Sequence, residues 1–181
     1  METIKIGSWK GCPNAGFVRR LILIPSQDVI DLPDPALLFD HDDTQTLPIE
    51  SVAFNPYAQT IIFDFEYKTC TYSLNQNQST DGPLYAISIQ GTVPLLLAGI
   101  NKELEKRRGY RWIAFFQDHN HNVYIAGTPD YPLTLSYVQS ITDKTSSTVF
   151  LSGRTPQPPY NTNALPSPLR YFSSAFERTF S

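Results

Sequence analysis

A chain of 181 residues, 41% hydrophobic and 13% aromatic, is long and apolar enough for one domain with a proper core. Its formal net charge of −3 gives no electrostatic case for specific nucleic-acid binding or for an anionic membrane surface. No apolar run approaches the roughly 20 residues of a membrane-spanning helix, and METIKIGSWKGCPNAGF lacks the charged-then-apolar layout of a cleaved export signal.

Fifteen prolines, ten tyrosines and eleven phenylalanines favour strands and irregular connections over helices. Cys12 and Cys70 are too few for a disulfide framework and lie far from a CxxC spacing, so two reduced thiols are expected.

In chain order, GFVRRLILIP (16–25) is the first strand, stopped by Pro25. The acidic, proline-broken stretch up to Pro48 reads as a long solvated connection, with a short strand around Ala36 to Phe39. QTIIFDFEYKTCTYSL alternates as a single strand, with Ile61, Phe63, Phe65 and Tyr67 on one face and Asp64, Glu66 and Lys68 on the other. NQNQSTDGP is a polar turn, and LYAISIQG returns as the next strand. A helix is expected over about residues 93–108: Val93, Leu96, Leu97, Ile100 and Leu104 recur at helical spacing, Thr92 suits the N-cap and Pro94 the first turn. Glu103 can pair with Arg107, the cations Lys106, Arg107 and Arg108 complement the negative end of the helix dipole, and Gly109 suits a left-handed cap. YRWIAFFQD, NVYIAGT, LTLSYVQSI and TVFLSGR then read as strands before a proline-rich end.

The segment FFQDHNHNVYIAGT concentrates the chemistry-bearing residues. Asp118, His119 and His121 fall within four positions, and FDHDD supplies His41 with Asp40, Asp42 and Asp43. Asp118, His119, His121 and His41 are therefore the metal candidates, since zinc takes three or four Cys, His or carboxylate ligands. The paired-ligand spacing of a zinc sequence is missing, however. Asp118, Asn120 and Asn122 suit a tight hairpin turn, because Asx side chains bond their own backbone. The turn is the expectation, with no metal and no other cofactor.

GxSxG, a phosphate loop, GxGxxG and HExxH are all missing from the sequence. Cys70 sits in an alternating strand as a structural side chain would. Asp42 with Asp43 belongs to a solvated loop, and Asp64 with Glu66 to a wet strand face. No catalytic residue is expected, and the chain reads as a non-enzyme.

The order of elements carries a resemblance. A Gly-Cys-Pro-Asn-x-Gly entry (Gly11 to Gly16) leads to an apolar strand, and a middle strand pair has its polar tip at Asp81 and Gly82. INKELEKRRGY then precedes WIAFFQDHNHNVYIAGT, and TVFLSGRTPQPPY closes the pattern. Over most of residues 11–160 this resembles phage tail structural proteins, particularly tail-tube-like proteins of prophages. It departs at the hairpin tip, where Asn120-His121 stands in place of Asn-Gly. The resemblance implies a mainly β (α+β) fold, an antiparallel β-sandwich or half-barrel with one flanking α-helix. It implies a tail-tube or related tail or connector subunit whose copies form homo-oligomeric rings by joining sheets edge to edge. Its partners would be itself and other tail proteins, and its place the virion, after the bacterial host's cytoplasm.

Residues 1–155 are expected as a single β-rich domain and 156–181 as a C-terminal arm. There Pro156, Pro158, Pro159, Pro166 and Pro168 extend the chain, and Tyr160, Leu169, Tyr171, Phe172, Phe176 and Phe180 give it apolar groups to bury, on its own domain or on a neighbour. Two other functions stay open. One is a β-sandwich carbohydrate-binding module with Trp9, Trp112 and tyrosines as a stacking platform. The other is a small metal-dependent enzyme using the histidines and the acidic loop.

Overall fold

Two strongly apolar runs of the chain, LILI and WIAFF, lie side by side. In the structure, a computed structural model describing residues 17–34, 46–80, 82–94, 104–107, 109–141 and 145–167, β1 (Val18–Pro25) pairs antiparallel with β8 (Arg111–Asp118). Leu21 lies opposite Phe116, and Ile24 opposite Ile113. Neither LILI nor WIAFF alternates, because both faces of this pair are covered, and a strand buried on both faces carries continuous apolar sequence. Leu21, Leu23, Trp112, Ala114 and Phe116 face one core, while Ile22, Ile24, Ile113 and Phe115 face a second. Each large side chain buried there contributes about 1.5–3 kcal/mol from apolar burial.

The sheet spreads from this pair. β5 (Ile61–Asp64) lies along the other edge of β1. The far edge of β8 divides between two neighbours. Arg111 and Trp112 meet the start of β10 (Leu133–Ile141), whereas Ala114 to Gln117 meet β9 (Val123–Ala126). From β10 a four-stranded antiparallel arm continues through β11 (Thr145–Thr155), β7 (Gly82–Pro94) and β6 (Cys70–Ser79). From β9 a shorter arm runs through β12 (Tyr160–Thr162) to β3 (Thr46–Leu47), and the β12–β3 pairing is parallel. The long arm curls until Thr71 bridges Phe17 beside β1, wrapping the sheet around the first core. Residues 46–58 and the small pair β2 (Val29–Asp31) and β4 (Ala53–Phe54) cover the second core, with Val29, Leu47, Val52, Ala58 and Phe54 packed into it. The architecture is mainly β (α+β), as expected; the large sheet is mixed rather than wholly antiparallel, because β12 and β3 run parallel, and a short helix is described at 104–106.

Several boundaries differ from the sequence reading. The expected single strand 59–74 is two strands, broken by a turn at 65–69 where Lys68 has φ 69° and the Thr69 amide donates to the Glu66 carbonyl at 3.1 Å. Phe63 and Phe65 are buried as expected, but Tyr67 is 56% exposed, because the break carries the chain away from β1 to the outer edge of the long arm. The polar NQNQS is strand rather than turn: its backbone pairs with β7 up to Ser79↔Gly82, so the hairpin tip shrinks to the two residues between them. At the other end of β7, Thr92 and Val93 pair with Thr148 and Ser147. Residues 92–94 are thus strand rather than helix start; β-branched side chains suit the pleat, and β11 offers their backbone a ladder.

Residues 104–106 are helical, Leu104 is buried, and Gly109 ends the segment at φ 90°, the left-handed value expected of it. Arg107 is buried rather than solvated, and its Nη2 donates to Gln59 Oε1 at 3.0 Å. Leu96, Leu97, Ile100, Glu103 and Arg108 lie outside the described residues, as does the strand expected at Ala36 to Phe39. Residues 156–167 pack on the preceding domain: β12 joins the sheet, Tyr160 and Leu165 pack against the second core, and Asn163 Oδ1 accepts from the Ile49 amide at 2.9 Å. Leu169, Tyr171, Phe172, Phe176 and Phe180 are outside the described residues.

Candidate functional site

The β8–β9 hairpin is organised by one carboxylate. Asp118 Oδ1 accepts from the amides of Asn120 and Asn122, both at 2.8 Å, and Oδ2 accepts from Asn122 Nδ2 at 2.8 Å. These bonds occupy both oxygens of Asp118 in holding the turn, which closes with the Asp118 amide on the Asn122 carbonyl at 3.0 Å. His121 sits at φ 66°. A left-handed backbone costs a non-glycine residue roughly 1 kcal/mol, which is the reason Asn-Gly is the commoner tip.

The two histidines of the turn diverge. The His119 amide donates to the Phe17 carbonyl at 3.2 Å, and its ring packs edge-on against Tyr67 with centroids 5.1 Å apart. Its Nε2 is buried without a hydrogen-bond partner among the described residues. His121 is exposed on the opposite course of the turn. Among the described residues no three His, Cys, Asp or Glu side chains gather as metal ligands do; His41, Asp40, Asp42 and Asp43 lie outside them.

The other candidates separate in the same way. Cys70 is buried against Gly91 and Phe65, and desolvation pushes its thiol up to about 12, leaving no thiolate at neutral pH. Asp64 is held by Arg20, its cross-strand neighbour, through Nε at 2.6 Å and Nη2 at 3.1 Å. Trp112 is core, 1% exposed, and serves no stacking platform; Trp9 is outside the described residues.

A different group comes together at the end of the short arm. Register places Thr46, Asn161, Tyr124 and Phe116 in one row across β3, β12, β9 and β8. Tyr124 stacks on Phe116 at 5.2 Å, and Phe116 in turn meets Tyr72 at 4.9 Å. Beside this row an open groove of about 360 Å³ is lined by Thr46, His121, Asn122, Val123, Tyr124, Asn161 and Thr162. Among the described residues no Lys, Arg, Asp or Glu lines it. Burial and then the Asp118 charge raise the Tyr124 phenol above its ordinary value, while the Asn122 side chain works the other way; the phenol keeps its proton at neutral pH. No local pattern announces this group, because β3 and β12 are two and three residues long and pair across more than 100 positions.

The outer edge of β6 is the second functional surface. Beyond Thr71 no described strand pairs with it, so the outward backbone groups of Tyr72 to Ser79 have no strand partner among the described residues. The stretch YSLNQNQS contains no charge and no proline, and its pairing with β7 runs without a bulge. Comparison of the chain with protein-family models, with curated proteins and with solved structures finds no match.

Proposed function

We propose that this protein is a non-enzymatic virion structural subunit of the phage or prophage tail type, a tail-tube or related tail or connector protein that assembles with copies of itself. The observation that carries the reading is the β6 edge. Sheet proteins ordinarily guard an exposed edge with lysine, proline, a bulge or an inward charge, since such an edge is a template for another strand. Eight residues of β6 carry none of these. An edge left open over that length suits a chain whose neighbour completes the sheet. The resemblance in element order adds tail proteins as further partners.

Light scattering across a concentration series, with negative-stain images of the same fractions, tests this. Rings or tubes that grow with concentration are expected. The variant Asn75→Lys/Asn77→Lys places two charges on the edge and is expected to stay monomeric with its Tm within a few degrees of the parent. A parent protein that stays monomeric throughout, with nothing assembled in the images, counts against the proposal.

A further inference from the structure

We infer that the groove at the β9–β12–β3 end binds a neutral saccharide, with His121, Asn161 and Tyr124 as its contact residues. This inference stands apart from the assembly reading, since it uses a different surface. Its first support is composition. The groove of about 360 Å³ lies at the small end of the range for small-molecule sites, roughly 300–1,000 Å³. Its lining offers carboxamides from Asn122 and Asn161, hydroxyls from Thr46 and Thr162, an imidazole and one aromatic ring. Amide and hydroxyl groups both donate and accept, as a sugar's hydroxyls require of their partners. Among the described residues the lining has no carboxylate, ammonium or guanidinium, so it offers no counter-charge to an ionic ligand. Tyr124 lines the groove with its ring stacked on Phe116, which holds its position there.

The second support is that the groove's polar groups are available. The side chains of Thr46, His121 and Asn161 make no hydrogen bond to the rest of the described residues. Asn122, by contrast, is fixed by Asp118, so the site has one rigid amide and three groups left for a ligand. The third is His121 itself. It holds a left-handed backbone that glycine would adopt without cost, at a position of the turn that, with Asn122, lines the groove. A strained residue at a place where an unstrained one fits points to a use for its side chain.

The experiment titrates the full chain with the methyl glycosides of glucose, galactose, mannose and N-acetylglucosamine. Binding is read from the backbone and side-chain amide resonances of Asn122, Asn161 and Thr46. At least one glycoside is expected to give saturable shifts at these residues. His121→Gly is expected to leave the Tm unchanged or raised, since it relieves the backbone, while weakening that binding at least about fivefold. Asn161→Ala, on the exposed side of β12, is expected to weaken it by a similar factor without unfolding the domain. The inference is overturned if none of the four glycosides shifts these resonances saturably, or if His121→Gly and Asn161→Ala bind as the parent does. It is equally overturned if sodium phosphate produces the same shifts and competes with the sugar, which would make the groove an anion site.

Discussion

Gly91 shows how much a single position in the long arm is constrained. A β-carbon built there would stand 2.4 Å from Cε1 and 2.5 Å from Cζ of Phe65, and 3.1 Å from Cys70 Sγ. Phe65 and Cys70 are themselves core side chains, so none of these atoms can swing into solvent. Gly91→Ala is therefore expected to destabilise the fold by about 1–3 kcal/mol, the usual cost of overpacking, measurable as a lowered urea midpoint. In the sequence, Gly91 reads as the end of a strand, LYAISIQG; only the approach of Phe65 from the 65–69 turn explains why a strand interior carries glycine.

At the scale of an element, the β8–β9 hairpin rests on sequence chemistry that acts locally. Asp118 collects three hydrogen bonds from residues two and four positions ahead, an arrangement that Asp-x-Asn-x-Asn predicts without knowledge of the fold. Asp118→Ala is expected to cost about 1–2 kcal/mol and to raise amide exchange at Asn120 and Asn122, while distant strands keep their protection. If exchange rises uniformly through β6 and β7 instead, the turn is not the local unit described. The β6–β7 hairpin is the opposite case. Its polar half reads as loop because Asn, Gln and Ser are poor strand formers. It is strand because β7, held by β11 on its far side, offers a complete ladder to pair with.

For the whole molecule, the consequence of two cores sharing the β1–β8 wall is that they should respond together. Tyr72 packs on the first core and Tyr160 on the second, and both phenols are pushed up to about 12, by burial first and then by Tyr124 and Asp34 respectively. The unfolded chain releases these protons near the ordinary phenol value, about 10, so between there and about 12 the folded state holds protons that the unfolded state has lost. Stability from this source is fully present below about pH 10 and falls as pH rises through that window. Urea midpoints at about pH 9 and about pH 11.5 are expected to differ strongly for the parent, and less for Tyr72→Phe/Tyr160→Phe. An equal drop in parent and variant would place the alkaline sensitivity in other groups.

The β-rich class, the buried wall of LILI and WIAFF, the 118–122 turn, the structural setting of Cys70 and the left-handed Gly109 were all determined by the sequence alone. Each depends on neighbours a few positions away or on the plain excess of apolar groups. Tertiary structure decided the rest. It cut one predicted strand in two at 65–69, and it extended β7 through Val93 and Pro94 into what reads as a helix start. It buried Arg107 against Gln59, and it brought Thr46, Tyr124 and Asn161 into one row beside His121. These outcomes turn on backbone groups finding partners far along the chain, and a pairing of that kind leaves no periodicity in either of the segments it joins.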